Sequence, residues 1–517
     1  MRTAARAVVV LLVALLVAAP PALGPAQAAG PAPSRGRTLT YAASADVDNL
    51  DPAQRGGTIS AAVKDLLYSS LVDETPSREI APDLAMSWKA DGTVWTLALR
   101  RGVKFQDGTP FNAQAVKAHY DRLFSAENPQ RSSDWKPYLD RVEVVDDNTI
   151  RFVTKYPDPF FLLRLAASSQ IESPTAFKKY GKDIARNPVG AGPFRLQEWT
   201  PDVRVVVVRY DDYWGDKAYL DQVIIRPVPE PGARAIALES GDVQLADLIS
   251  PEDMPRLRAN PNLRLDSVST VRQLTVGMNN TKKPFTDVRV RQALNYAVDR
   301  PAIAKGIFVG LAEVLPGAVP TLASGYAVVD SFPSDPDKAR QLLADAGYPH
   351  GFTATLTGTK GRYFKDFEMM QAVQQMLKRV GVTTNIQVVE WARYLELVNI
   401  PPDKSPLEMW LDGWSSDSAT DILQQRFGCE FMRPHGVNLH GYCNRDLDAL
   451  VNQAARTMDD TQRNTYLKLA QQLIQKDAPS VWGLETKSTA GMNKKLHGVL
   501  HYYDETLTVD EHTWLEP

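Results

Sequence analysis

Cysteine and histidine are scarce in this chain, two and seven respectively among 517 residues. Metal clusters and thiol chemistry therefore have few side chains to draw on. The motifs that place a nucleophile, a catalytic metal or a phosphate are missing too. There is no G-x-S-x-G, no H-E-x-x-H and no G-x-x-x-x-G-K-[ST]. Gly190-Ala191-Gly192 comes nearest to a dinucleotide loop, but Arg195 stands where a third glycine is needed and Pro193 removes an N–H that would face phosphate. That segment is expected to be a tight turn ahead of a strand. With 61 Asp and Glu, carboxylate pairs at catalytic-looking spacings arise by chance and identify nothing. Excess positive charge is absent as well: 58 Lys and Arg give a formal net charge of −3, which offers nothing to nucleic acid. Beyond the N-terminal region no segment approaches the roughly eighteen uninterrupted apolar residues of a membrane span.

What the N-terminus does contain is Arg2 and Arg6, an apolar run from Ala7 to Ala19, and a Pro/Gly/Ala-rich stretch holding Ala26-Gln27-Ala28. A charged start, a short apolar core and a small-x-small site make a secretory signal peptide, residues 1–28. At about 1.5 Å per residue the apolar run would reach about 20 Å, short of a hydrocarbon core of about 30 Å. No cysteine follows that could accept a lipid, so the mature chain is expected to be free in the periplasm. In that oxidising compartment Cys429 and Cys443 read first as a disulfide. A zinc site completed by His435 and His440 is the rival, although C-x5-H-x4-H-x2-C lacks the tight paired spacings of structural zinc.

Past a linker at residues 29–35, strand and helix signals alternate, which predicts an α/β architecture in two or three domains for a chain of this length. Thr38 to Ala43 and the valine run Val203 to Val208 read as strands. Trp95, Leu97 and Leu99 alternate with smaller or polar residues, and Asp146-Asp147-Asn148 sits between two strand-like runs as a hairpin turn. Helices are expected from Ile59 to Leu71, Asp287 to Asp299, Phe367 to Val380 and Thr461 to Ile474, with strands at Thr353 to Thr357 and Thr384 to Val389. The stretch from Ser334 to Gly347 carries its own punctuation: Asp335 as cap, Pro336 in the first turn, Gly347 as a left-handed stop.

Set in order, several blocks resemble the extracytoplasmic solute-binding proteins, family 5, that serve peptide, nickel and related ABC importers. The most specific is Leu84-Ala-Met-Ser-Trp88 with Asp91-Gly92, then Leu99-Arg100-Arg-Gly-Val103-Lys104-Phe105 and Asp107-Gly108. Gly190-Ala-Gly192-Pro193-Phe194, Tyr213-Trp214-Gly215, Met278-Asn279-Asn280, Val288-Arg289 and Gln292-Ala293-Leu294 follow in the family's order. The resemblance implies a two-lobed, type II periplasmic-binding-protein fold with a β-rich subdomain inserted in the first lobe. Lobe 1 would take residues 36–73, 181–272 and 487–517, the insert 74–180, and lobe 2 residues 273–486. It implies a non-catalytic, monomeric protein without a cofactor that captures a short peptide or similar solute and hands it to an ABC permease in the membrane. A metal chelate, glutathione, an oligosaccharide or an opine would suit the same scaffold; an extracellular hydrolase is the rival class, disfavoured by the missing nucleophile motifs. In peptide-binding relatives a Gly-Trp-x-x-Asp loop receives the ligand ammonium, matched here by Gly413-Trp414-Ser415-Ser416-Asp417. The Asp-Pro that often follows is replaced by Asp421-Ile422 at a different spacing. An arginine beside an aromatic residue clamps the ligand carboxylate in dipeptide-binding relatives, matched by Arg362 and Tyr363, and the Cys429–Cys443 pair looks like a disulfide seen there.

Intact mass of the protein exported by its host should show loss of the first 28 residues or so and no acyl addition. A chain starting at Met1, or one carrying a lipid, refutes the N-terminal reading.

Overall fold

The computed structural model describes residues 32–127, 130–434 and 436–517. The signal peptide, the start of the linker and His435 lie outside them. Within these residues an eleven-stranded sheet runs through the molecule. Its middle is made by two long strands, Leu263–Met278 and Ser480–Asn493, paired antiparallel from Leu263 opposite Asn493 to Gly277 opposite Ser480. On one side of this pair the sheet continues through Leu245–Asp247, Thr38–Ala43, Gln222–Pro227, Arg204–Arg209 and Phe194–Thr200. On the other it continues through Met409–Ser415, Thr353–Gly358 and Thr383–Val388, while Ala312–Val314 lies along Ser480–Asn493.

Two lobes result, each with its own core. In the first, Leu39, Tyr41, Val205, Val207, Val223 and Ile225 meet the helix Thr58–Leu67 through Val63, Leu66 and Leu67. In the second, Leu274, Val276, Leu356 and Leu411 of the sheet meet Met369, Val373 and Leu377 of Asp366–Lys378 and Val290 and Leu294 of Val288–Ala297. A separate four-stranded antiparallel sheet, Ala85–Asp91, Val94–Leu99, Thr149–Thr154 and Leu139–Asp146, packs on the helices Ala113–Leu123 and Phe161–Ser168. It is fastened to the first lobe by a buried charge network in which Arg122 reaches both Asp51 and Glu172, and His119 Nδ1 lies 2.5 Å from Glu172. Taking any one partner out would leave its mates charged and dry, a loss of about 3–5 kcal/mol.

Local chemistry accounts for the elements. Asp335 accepts the Lys338 N–H, Pro336 opens the helix Pro336–Asp345, and Gly347 takes φ 92° beyond it. Gly190 and Gly192 correct the tight-turn reading in one respect. Neither has positive φ; a Cβ on them would stand 2.2 Å from Leu67 O and 2.5 Å from Leu67 C, so glycine is required by close backbone approach to the end of Thr58–Leu67.

Cys429 and Cys443 form a disulfide, which removes both thiolates from the rival zinc site. His440 is buried against Phe427 and Trp410 and holds the Ser480 hydroxyl at 2.8 Å, and burial pushes its pKa well below the ordinary value. The bridge fastens the segment after the helix Ala419–Phe427 to the start of Arg445–Arg456. By chain entropy a loop of this size contributes about 3 kcal/mol. Denaturant titration of a Cys443→Ser variant should show a loss of that order, and an unchanged midpoint would mean that packing alone holds the loop.

Candidate functional site

Between the lobes the two long strands change register at Ser269 to Gln273. Thr270 fills this irregularity: its hydroxyl donates to Thr486 O at 2.8 Å and accepts the Arg272 N–H at 3.1 Å. The Val271 N–H donates to Tyr503 O at 3.1 Å, so the C-terminal segment seals the bulge from the first lobe. The kink leaves Arg272 on the cleft floor, its guanidinium forked onto Glu505 at 2.8 and 3.3 Å. Burial works against the Arg272 charge, but Glu505 more than restores it, and the pKa stands above the ordinary arginine value.

The Gly-Trp-x-x-Asp segment leaves the strand Met409–Ser415 at the mouth of this cleft. Trp414 packs on the core that also holds Ile422, Leu423 and Trp482, so its main role is to anchor the loop. Ser415 is half-buried, and Ser416 Oγ accepts the Ser418 N–H. Asp417 O accepts the Ser324 N–H at 2.7 Å and Ser418 caps Ala419–Phe427, so the aspartate is held between two rigid elements. Its side chain, 27% exposed, points across the cleft at the first lobe. There the Tyr503 hydroxyl lies 3.2 Å from Asp417 and 2.7 Å from Glu74, within reach of donating to either carboxylate, and Arg78 Nη2 is 3.9 Å from Asp417. Burial raises the pKa of Asp417, helped by Asp421 and opposed by Arg78 and Tyr503; burial raises that of Glu74 also. Folded carboxylates with raised pKa hold protons more tightly than the unfolded chain does. Their contribution to stability is therefore lost as pH rises through the interval between the two pKa values, and a cation brought to them reverses that loss.

Arg362 and Tyr363 are organised by a neighbour that the sequence did not single out. The buried Asp366 carboxylate accepts the N–H groups of Gly361, Arg362 and Tyr363 at 2.9, 3.0 and 3.1 Å. Tyr363 then donates to Gly413 O at 3.2 Å, which brings the two sequence-predicted groups into contact. The Arg362 guanidinium lies 4.9 Å from the Tyr363 ring centre and 4.8 Å from that of Trp391, and it is paired with no described carboxylate. Other charges facing across the lobes are matched: Lys365 with Glu252 at 2.6 Å and Arg164 with Asp421 at 3.5 Å. Glu74, Arg78, Tyr503, Arg272 and Glu505 were absent from the sequence reading. No spacing could reveal them, since Tyr503 and Glu74 stand 429 residues apart in the chain. Among the described residues no group of three or more His, Cys, Asp or Glu is arranged to hold a metal ion, and no helix is long and apolar enough to cross a membrane.

Residues 79–426 match the bacterial extracellular solute-binding proteins, family 5 Middle. The chain belongs to that family. It is 33% identical over 482 residues to the glutathione-binding protein GsiB of Salmonella choleraesuis, covering 92% of this chain and 94% of that one. Among solved structures it is similar to the periplasmic binding protein DppA of Helicobacter pylori in complex with the peptide STSA, with 28% identity, TM-score 0.80, and coverage of 94% of this chain and 99% of that one. It is also similar to MoaA from A. tumefacien R10 in complex with mannopinic acid, with 27% identity, TM-score 0.80, and coverage of 94% and 100%. The fold is thus the two-lobed α/β type of periplasmic binding proteins, and the relatives are binding proteins.

Gly413 offers a test of the geometry, because a Cβ there would stand 2.3 Å from the Tyr363 ring. Gly413→Ala should displace the ring, cost about 1–3 kcal/mol as overpacking does, and free Arg362 from its stack. Urea unfolding reads the first effect and quenching of Trp391 fluorescence the second. A fully stable variant would show that the ring yields without consequence.

Proposed function

We propose that this solute-binding protein captures a short zwitterionic peptide between its lobes and delivers it to the permease of an ABC importer, acting as a periplasmic, non-catalytic monomer. The observation that carries the reading is the charge left over at the cleft. On one side Glu74 and Asp417 share a single cation, Arg78; on the other Arg362 has no carboxylate and is stiffened over Tyr363 and Trp391. A free α-ammonium complements the first and a carboxylate the second. The exposed guanidinium, set over two rings that stand at 86° to each other, has the planar geometry to fork a carboxylate. Gly413, Trp414, Ser415 and Ser416 form the wall between, built from backbone that can accept and donate to a peptide. Burial between lobes that close on a hinge does the work, as in other interlobe binding sites.

A second reading has its own observation. Arg272 lies near Tyr363 as Arg362 does, so a ligand with two carboxylates and one ammonium could draw on both guanidiniums, the second by displacing Glu505 from Arg272. Glutathione has that charge pattern, and a relative is named for binding it. Calorimetric titration with glutathione and with a neutral tripeptide separates the readings.

Asp417→Ala should weaken a peptide by about 30-fold to several thousandfold, the equivalent of the roughly 2–5 kcal/mol lost when one partner of a desolvated charge pair is removed. Acetylating the peptide's amine should weaken wild-type binding comparably, and the two losses should not add. Because the Asp417 pKa is raised, ammonium binding must release its proton. Affinity should therefore fall as pH drops, beginning above the ordinary aspartate pKa of about 3.9. Additive losses, or an acetylated peptide that binds as well as the free one, would withdraw the peptide assignment.

A further inference from the structure

The hairpin of Val72–Glu74 and Ile80–Pro82 turns through Arg78, which adopts φ 69°, a left-handed conformation uncommon for a residue with a Cβ. The turn is closed by Arg78 N–H to Thr75 O at 2.8 Å and Thr75 N–H to Glu79 O at 2.9 Å. Strain of this kind persists only where surrounding structure fixes it, and here the surroundings are the cleft. The guanidinium donates to the carbonyl of Leu322 on the second lobe. It lies 4.2 Å from the Tyr503 ring centre, with Nε 3.4 Å from Glu74 and Nη2 3.9 Å from Asp417. With its side chain only 25% exposed, Arg78 is part of the cleft wall rather than a solvated surface arginine. Asp421, the nearby acid that acts on Asp417, already faces Arg164. Asp504 also acts on Glu74, and the Glu74, Asp417 and Arg78 group itself has one negative charge to offer.

We propose that Arg78 is a specificity-determining residue that limits the charge of the ligand's first residue, admitting one ammonium and rejecting a basic side chain beside it. The inference rests on the reading of Asp417 as the receiver of that ammonium. An N–H donor sits about 3 Å from the oxygen it serves, and Arg78 is already 3.9 Å from the same Asp417 oxygen. A second cation in that residue meets a fixed like charge in a partly desolvated cleft, where repulsion is screened far less than in water. Discrimination of this sort comes from a built-in repulsion as much as from attraction. Without Arg78 the two carboxylates would offer two negative charges, and a dicationic first residue would suit them better than a monocationic one.

The test is calorimetric titration of Ala-Ala-Ala and Lys-Ala-Ala into wild type, Arg78→Met and Arg78→Lys, each variant first matched to wild type by thermal melting and circular dichroism. Wild type should favour Ala-Ala-Ala at least tenfold, Arg78→Lys should keep that preference, and Arg78→Met should abolish or invert it. Amine-dependent binding with the same Ala-to-Lys ratio in wild type and Arg78→Met overturns the inference alone. Failure of acetylation to weaken wild-type binding removes the reading of Asp417 and this inference with it. If Arg78→Met melts early, Arg78→Gln replaces it under the same criteria.

Discussion

The pairing of Leu263–Met278 with Ser480–Asn493 holds the molecule together in a literal sense: both strands run from one lobe into the other, and they pair with each other on either side of the junction. Their interruption at Ser269 to Gln273 is as important as their continuity. A ladder that ran without a shift would be stiff, and residues on the two sides would have fixed mutual orientation. The shift leaves backbone groups that must be satisfied elsewhere, and Thr270 and Tyr503 satisfy them. The same device delivers Arg272 and the Tyr503 to Glu505 segment to the cleft floor. The register shift and the construction of the candidate site are therefore one feature, and a change that repaired the ladder would dismantle part of the site.

How much of this could be read from the chain follows from the range of the forces involved. Thr38–Ala43, Arg204–Arg209 and Pro336–Asp345 were legible because alternation, β-branching and caps act over a few residues. Gly190 and Gly192 were legible as special but not for the right reason, since the Leu67 backbone that crowds them is remote in sequence. The 413–417 loop and the Arg362–Tyr363 pair could be named from family resemblance, and their meeting through Tyr363 and Gly413 came only with the fold. Asp366, which orients three N–H groups of that loop, is marked by no local pattern, because its partners are defined only by how the loop folds back on it. The first-lobe face of the site was illegible because Glu74, Arg78, Arg272 and Tyr503 come from segments of that lobe that are remote in sequence and meet only when it folds.

Charge pairing across the cleft bears on how closure is balanced. Lys365 with Glu252 and the more buried Arg164 with Asp421 reach between lobes, and an exposed pair such as the first contributes only about 0–1 kcal/mol. They steer the lobes into register without locking them. Burial of Asp417 and Glu74 acts the other way, because desolvating two carboxylates served by one arginine is unfavourable. For a protein proposed to close on its cargo, weak rim pairs and an under-neutralised centre would set the closed form close to balance with an open one. That balance is what a binding protein needs, since a ligand shifts a conformational equilibrium only by its differential affinity for the two forms.

The same balance explains why the centre is under-neutralised rather than neutral. If a second basic residue of the chain completed the charge around Asp417 and Glu74, closure would be favourable without cargo, and the permease would meet closed proteins whether or not they had anything to deliver. If Arg78 were missing, two buried carboxylates would repel closure strongly and would accept any cation that entered, including inorganic ones. If Asp417 receives the ligand ammonium as proposed, one arginine shared by two acids leaves a deficit of a single charge, which that ammonium would make up. Binding and closure would then draw on the same electrostatic term, with the cargo supplying the charge that the closed form lacks.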